Sequence, residues 1–599
     1  MQPATHRPLP SWTVPTRRGA AWLRLRVWGH VVLRAWRQLI AAPIERHRPA
    51  PHLGDAPVIA ERRSALWHDG RADEFALVAG KVENLRIARR AFDGVVVPAG
   101  AVFSFWKQLG QPTRWRGFVA GREVRAGCVV PVIAGGLCQL SNALATCATS
   151  CGMALVERHG HTARIEQDAR ARDPQAVDAT VLWNYVDLRL SAPFDWRLEV
   201  ELTGDELVVR MRAAHACRAG GPALARAIPV VAVRESTPLA RGCHTCDETR
   251  CHRHLGAAPP SVTGATAVLA NARTPEFDKY LRHHSPGATW FLPWLRPSRR
   301  AVGAWTSASS HRVVALGASL RRTFLLHRQA REDGGRQQAL MRGDRGLAAS
   351  FARRLEPRHT HLVVDQSLLV ALSESGALQG RTYDVLMTAL PVGELQRRLD
   401  EAAARWPQAP SLRDFRMAPE DVDAELRALR LAHRLVTPHA DVARHLQALG
   451  LEQVECLEWQ APPHSPGDST LRAPAGSPVV AFPASALPRK GALELAEAMR
   501  HLGWRLLVLG TPSPDAGLWR GIEVEHLAYS DPRWLDRADV VALPAHVEHA
   551  PRALLSALAR GLPVVATRAC GLHASPRLLE VDAGDVAGLI AALRLAVDR

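Results

Sequence analysis

No run in the 599 residues approaches the ~20 consecutive apolar positions that a bilayer-spanning helix needs, which argues against a polytopic membrane protein. The basic N-terminus lacks an apolar core followed by a small-residue cleavage site. That argues against a secretory leader and for a cytoplasmic location. Cysteine is sparse: ten in the whole chain do not make a disulfide scaffold, and their clustering suits thiols or metal ligands in a reducing compartment. Neither the aromatic-rich signatures of RNA-binding modules nor zinc-finger spacings are present, so nucleic acid is not an expected partner. There is no internal repeat. Acid is missing altogether from the first 44 residues, which hold seven arginines.

What is present is globular. The chain is 47% apolar and 22% charged, and its length suggests about three or four domains. The formal charge of +18, mostly from arginine, points to anionic lipid or nucleotide sugars. Residues 1–59 form a basic region in which "RRGAAWLRLRVWGHVVLRAWRQLI" reads as a helix with Trp22, Leu25, Trp28, Val32, Trp36 and Leu39 on one stripe. Tryptophan flanked by arginine suits an anionic membrane surface, peripheral on its inner face; the alternative is a stripe packed on the next domain.

Residues 60–215 read as an α+β domain of short β-rich runs, among them "GCVVPVIAGG", "ATVLWNYVDLRL" and a hairpin around Gly204-Asp205. One helix, from about Leu137 to Cys151, interrupts them. Residues 216–262 are a Cys/His-rich connector. Beyond it, "HRVVALG", "THLVVD" and "YDVLMTAL" alternate with helical segments, and so do "VVAFPAS", "RLLVLG", "DVVALP" and "PVVAT". Apolar strands alternating with helices imply two parallel-sheet α/β domains, 263–460 and 479–599, joined by a Pro/Gly-rich hinge at 461–478.

In the last domain, "FPASALPRKGALELAEAM" follows a strand and opens a helix. Arg489 and Lys490 therefore sit beside a helix N-terminus that already favours an anion such as a diphosphate; the alternative is a solvated basic pair. In "LPAHVEHAPRALLSALARGLPVVAT", Glu548 lies in the loop between a strand and a helix, where ligands bind in open α/β sheets and a carboxylate can accept from sugar hydroxyls. A plain surface acid is the other reading.

These segments, with "VLG" at 508–510 and "WLDRADVVALPAHVEHAPRALLSALARGLPVVAT" at 534–567, resemble the large retaining GT-B glycosyltransferase family, over roughly residues 300–599. The resemblance implies two Rossmann-like domains and a nucleotide-sugar donor, with no catalytic divalent metal. By it, Arg489 and Lys490, in the turn closed by Gly491, hold the donor phosphates, and Glu548 holds the donor sugar. The family's second glutamate, eight residues on, is replaced by Ser556, which keeps a hydroxyl but loses the charge. The first GT-B half matches only through "LRLAHRLVTPHADVARHLQALG" (429–450), so no acceptor-side group is named.

In "AGGLCQLSNAL", Cys138 opens a helix after two glycines, and a helix N-terminus lowers a thiol pKa. Ser141 and Asn142 share its helical face, whereas Cys147 and Cys151 point the other way, towards a core. His159 and His161 follow on one side of a strand, then Asp187. Cysteine, histidine and acid are the ingredients of a nucleophilic site; a metal site and simple burial are the alternatives. "KVENLRIA" (81–88), "VVVPAGAVFSFWKQLGQPTRWRGFVAGREV" (95–124), "GGLCQLSNAL" (135–144), "VERHGHT" (156–162) and "WNYVDLRL" (183–190) resemble the VanW family, named after an accessory protein of vancomycin-resistance clusters. That resemblance implies a cell-envelope context, with Cys138, Gln139, Glu157, His159 and His161 in the defining motifs.

"GCHTCDETRCHRH" places Cys243, Cys246 and Cys251 at C-x2-C-x4-C, with His254 or the more distant Cys217 available as a fourth ligand. Structural zinc or an iron–sulfur cluster fits this spacing; a redox thiol group is the alternative. The combined expectation is a multidomain chain, an α+β VanW-like domain followed by an α/β GT-B enzyme, acting on an envelope-related acceptor. The rival is a degenerate glycosyltransferase scaffold beside a VanW-like thiol enzyme or envelope adaptor linked to glycopeptide resistance.

Overall fold

The fold is taken from a computed structural model. It describes residues 14, 16–40, 43–67, 74–125, 128–160, 176–214, 241–242, 251–252, 263–293, 311–329, 335–413, 415–460, 476–510, 517–528, 531 and 533–598. The chain divides into two compact units. One comprises Met1–Ala265 with Leu355–His361 and Leu378–Thr382; the other comprises Thr266–Arg354, Leu362–Ala377 and Tyr383–Arg599.

The first unit is α+β. Its main sheet is antiparallel, in the order Val58–Ala65, Glu206–Arg212, Trp196–Leu202, Val95–Val97. Every second side chain of Trp196–Leu202 is buried, the period a one-sided sheet requires. The hairpin turns at Gly204-Asp205, where Thr203 Oγ1 accepts from the backbone N–H groups of Asp205 and Glu206. The "ATVLWNYVDLRL" run is strand only at Arg189–Ser191; Tyr185 and Val186 turn back on Leu182, and Asn184 takes a left-handed φ of 47°.

Helix α1 (Arg17–Ile40) carries the tryptophan stripe. The packing alternative fails: Trp22, Leu25, Trp28 and Trp36 are all more than 60% exposed, and Val32 is also exposed. The helix touches its unit through other positions, Arg34 on Glu157 and His30 against Tyr185. Among the described residues no helix is long and apolar enough to cross a membrane.

The second unit holds two parallel sheets. The first runs in the order Arg312–Val314, Thr289–Leu292, Ala265–Leu269, His359–Asp365, Thr382–Leu386, Arg434–Thr437, Val454–Cys456. The second runs Val524–Leu527, Arg505–Leu509, Val479–Phe482, Val540–Leu543, Val564–Thr567, Leu578–Val581. Numbered along the chain, both contain the doubly wound order 3-2-1-4-5-6, so each is Rossmann-like. In that order the chain switches direction between strands one and four, and ligands bind beyond their carboxyl ends. The switch of the second sheet thus falls between Val479–Phe482 and Val540–Leu543, whose following loops carry Arg489-Lys490 and Glu548. The "HRVVALG" strand is shorter than its sequence suggests: it stops at Val314, and a helix begins at Leu316.

Candidate functional site

After Val479–Phe482 the chain makes a short turn at Pro488–Lys490 and enters the helix Ala492–Leu502 through Gly491. Gly491 has φ +77°, and a Cβ there would lie 2.0 Å from the carbonyl oxygen of Pro544, just beyond Val540–Leu543. Only glycine permits that approach. It clamps the basic turn against the end of the neighbouring strand and brings Lys490 to Glu548. Lys490 Nζ donates to Glu548 Oε2 at 2.8 Å and to the Val547 carbonyl at 3.3 Å. Glu548 Oε1 accepts from the backbone N–H groups of His549 (2.9 Å) and Ala550 (3.0 Å).

The Glu548 side chain is 13% exposed. Burial pushes its carboxyl upward, but the Lys490 charge and hydrogen bond, with the Ala550 N–H, hold it below the ordinary carboxylate value. A carboxylate has about four acceptor sites, and these three donors leave room for a hydroxyl. Arg489 lies 5.6 Å over the Phe415 ring. Phe415 itself sits at φ +61°, with its carbonyl accepting from Gln396 Nε2. A left-handed phenylalanine is strained, and such strain collects where a side chain must be aimed. Ser556, on the helix Arg552–Arg560, donates to the Arg552 carbonyl one turn back, at 3.0 Å.

His439 was not visible as a site residue in the sequence. It caps the helix Ala440–Ala448: its Nδ1 accepts from the Val442 N–H, which leaves Nε2 as the donor to the Glu548 carbonyl at 2.9 Å. Gly571 makes room for it, since a Cβ there would meet His439 Nδ1 at 2.0 Å. Trp459 Nε1 donates to the Gly571 carbonyl, and Arg552 lies over the Trp459 ring. Arg552 also forms a bidentate pair with Glu276, at 2.7 and 2.6 Å, whose side chain is fully buried. The signal available in sequence was the cap itself, a histidine three residues ahead of Val442 at a strand–helix junction.

At the switch point of the other sheet, Asn271 follows the first strand and Asp365 ends the fourth. Asn271 Nδ2 donates to Asp344 Oδ1 (3.1 Å) and Ser367 Oγ (2.8 Å), while Asp365 accepts from Ser367. Burial pushes the Asp344 carboxyl up to about 6.

His549, beside Glu548, is a pH-sensitive group. Burial, then the Lys490 charge, pushes it down to about 4. The unfolded chain takes up this proton below about pH 6.5, but the folded chain only near 4, so acid binds the unfolded state first. Stability should therefore fall as pH drops from 6.5 to 4, and His549→Gln should flatten that slope in melting midpoints measured from pH 7 to 4.5. An unchanged slope would contradict this assignment.

In the first unit, Cys138 begins the helix Cys138–Ser150 and is part-buried. Its sulfur lies 3.7 Å from Thr180 Oγ1 and 3.9 Å from the Val181 carbonyl. Asp187 accepts from Ser104 Oγ, Arg189 Nε and the N–H groups of Trp106 and Leu188. His159 Nε2 is 3.4 Å from Glu157, which Arg34 grips with both terminal nitrogens. The fold thus gathers Glu157, His159 and Asp187 around arginines, and Cys138's recorded side-chain partners are Thr180 and Val181. Cys147 and Cys151 are buried, and burial pushes the Cys147 thiol up to about 12. His161, Cys217, Cys243, Cys246 and His254 and most of the 461–478 hinge lie outside the described residues; Cys251 is buried. Among the described residues no group of three or more metal-capable side chains converges.

Residues 80–212 match the family model described as VanW like protein, and residues 477–598 match that of Glycosyl transferases group 1. The chain joins a VanW-like domain to a group 1 glycosyltransferase domain. The first domain is 24% identical over 149 residues to the vancomycin B-type resistance protein VanW of Enterococcus faecalis, covering 25% of this chain and 54% of that protein. It is 29% identical over 112 residues to the uncharacterized protein YoaR of Bacillus subtilis, covering 19% and 35% respectively. The chain thus spans about half of one relative and a third of the other. Solved structures similar to the second unit include sucrose-phosphate synthase from Thermosynechococcus elongatus (14% identity, TM-score 0.40, 56% of this chain and 90% of that one). Anabaena HepE in complex with UDP-glucose is another (13%, TM-score 0.35, 56% and 90%). The VanW-like domain holds Glu157, which Arg34 of α1 grips from outside the matched residues, and the glycosyltransferase domain holds Arg489, Lys490 and Glu548.

Proposed function

We propose that the chain transfers a sugar from a nucleotide-diphosphate donor to an envelope-related acceptor. The observation that carries this reading is the Lys490–Glu548 pair at a Rossmann switch point inside the group 1 glycosyltransferase domain. Arg489 and Lys490 would bind the donor diphosphate and stabilise the charge that develops on it as the glycosidic bond breaks. Glu548 would accept from hydroxyls of the donor sugar, Gly491 sets the turn, and Ser556 stands where a ribose contact would fall. The envelope context rests on the likeness to a resistance-associated protein. A peripheral seat on the inner membrane face is consistent with the exposed tryptophans of α1, which suit an anionic interface.

The test is hydrolysis of a panel of UDP-, GDP- and ADP-sugars by the purified full chain. Turnover of at least one donor, with release of the nucleoside diphosphate, is the expected result. Silence across the panel, joined to selective labelling of Cys138 at neutral pH, would favour a degenerate transferase beside a VanW-like thiol enzyme. The specific observation behind that rival is the Ser556 hydroxyl, which is engaged with its own helix.

A further inference from the structure

The glycosyltransferase unit carries an arginine-lined cleft that the donor site does not use. It lies between the helices Leu316–Gln329 and Gly335–Ala352 and has a volume of about 330 Å³. Arg321, Arg322, Arg342, Arg353 and Arg354 line the cleft. Arg322 is engaged by Asp344 (2.9 Å) and Asn271 (2.7 Å), and Arg354 by Ser350. Arg321, Arg342 and Arg353 have no carboxylate partner among the described residues. Guanidinium groups stay charged at any physiological pH, so the cleft concentrates positive charge that suits an anion. It is open at Gly317 and Gly346, where an added Cβ would meet nothing within 4 Å.

A second observation fixes the kind of anion. Leu316, Leu320 and Phe324 recur every fourth residue along the helix Leu316–Gln329 and are 48%, 60% and 64% exposed. They form one stripe, and Gly317 and Arg321 of the cleft stand one position, about 100°, round the helix from it. An exposed apolar stripe bordered by unpaired arginines matches an amphiphile that carries phosphate at one end and hydrocarbon at the other. Arg322 links the cleft to Asn271, at the carboxyl edge of the first sheet, where a Rossmann domain takes its ligand.

We propose that this cleft seats the phosphate of a lipid-borne acceptor, with Arg321, Arg342 and Arg353 on the phosphate and Leu316, Leu320 and Phe324 in the hydrocarbon boundary. That the lipid is the acceptor rests on the transferase reading; the phosphate–lipid site does not. A nucleic acid would need aromatic stacking platforms, and Phe324 is the lone aromatic of the stripe and cleft walls.

The test is co-sedimentation of the full chain with phosphatidylcholine vesicles, with and without phosphatidic acid. Wild type should prefer the phosphatidic-acid vesicles, and R321A/R342A/R353A should lose on the order of 100-fold in that preference, at roughly fivefold per arginine. L320S/F324S should lose vesicle binding while still binding inorganic pyrophosphate. All five positions are solvent-exposed, and matched melting midpoints would verify folding. Wild-type vesicle affinity in the arginine variant would overturn the proposal, because α1 or the net charge would then account for binding. So would loss of single-stranded RNA binding without loss of vesicle binding. Donor hydrolysis is assayed on the same wild-type preparation: if it is absent while the arginine dependence holds, the transferase reading falls and the lipid site stands.

Discussion

Glu548→Ala should lower donor turnover by about 100-fold, with the loss in kcat/KM. Hydrogen bonds to a charged group are worth roughly 1.5–3 kcal/mol, or about 10- to 100-fold. In the proposed role one carboxylate would both hold the donor sugar and fix Lys490, which it already meets at 2.8 Å, so the upper end of that range applies. Glu548→Gln should fall between wild type and the alanine variant. It keeps an acceptor for the His549 and Ala550 N–H groups but surrenders the charge that positions Lys490. Neither change should unfold the protein, because Lys490 retains the Val547 carbonyl and a 13%-exposed site admits water. Unchanged hydrolysis in Glu548→Ala would remove the residue from the donor site.

The second large effect concerns stability. Arg552→Ala would leave Glu276, fully buried, without its bidentate partner and with the Gln460 N–H as the one remaining donor to its side chain among the described residues. Breaking a buried pair from one side costs about 3–5 kcal/mol, because the remaining charge is stranded. Arg552 is itself 28% exposed, so the lower end, ~3 kcal/mol, is expected. Replacing both partners, as in Glu276→Met with Arg552→Leu, should recover most of it, since no charge is then left behind. Glu276 belongs to the first Rossmann domain and Arg552 to the second, so the single variant should lose donor turnover along with stability. Urea midpoints of the two variants measure this; equal destabilisation by the single and the double change would show that the pair's charge is irrelevant.

The Arg489-Lys490 turn and the Glu548 loop were legible because their chemistry lies in contiguous segments. "PRKG" and the 534–567 stretch each place a turn, a charge and a helix start within a few residues, and a switch point needs little more. The remainder is assembled across distance. His439 meets Glu548 from 109 residues away, and Glu276 meets Arg552 from 276. No local pattern encodes either meeting. Phe415 is hidden more deeply, because its left-handed backbone contradicts what its residue type suggests.

The VanW-like half shows the same division. The helix phase that separates Cys138 from Cys147 and Cys151 could be worked out from a 100° turn per residue. The arrangement that gives Cys138 Thr180 for company, and Glu157 the Arg34 of a helix 123 residues earlier, depends on tertiary packing. In α1 the stripe was readable but its fate was not: periodicity marks an apolar face equally well whether it is covered or left open, and here Trp22, Trp28 and Trp36 are open.

The proposed transfer turns on a donor diphosphate at Arg489 and Lys490 with its sugar on Glu548. The most direct measurement is a crystal structure of the full chain soaked with the nucleotide sugar that the hydrolysis panel selects, or with UDP-glucose. The expected result is density for a diphosphate against the Pro488–Gly491 turn, within hydrogen-bond reach of Lys490, and a hexose hydroxyl on Glu548. A saturating soak that leaves this turn empty, or places the nucleotide elsewhere in the unit, would contradict it.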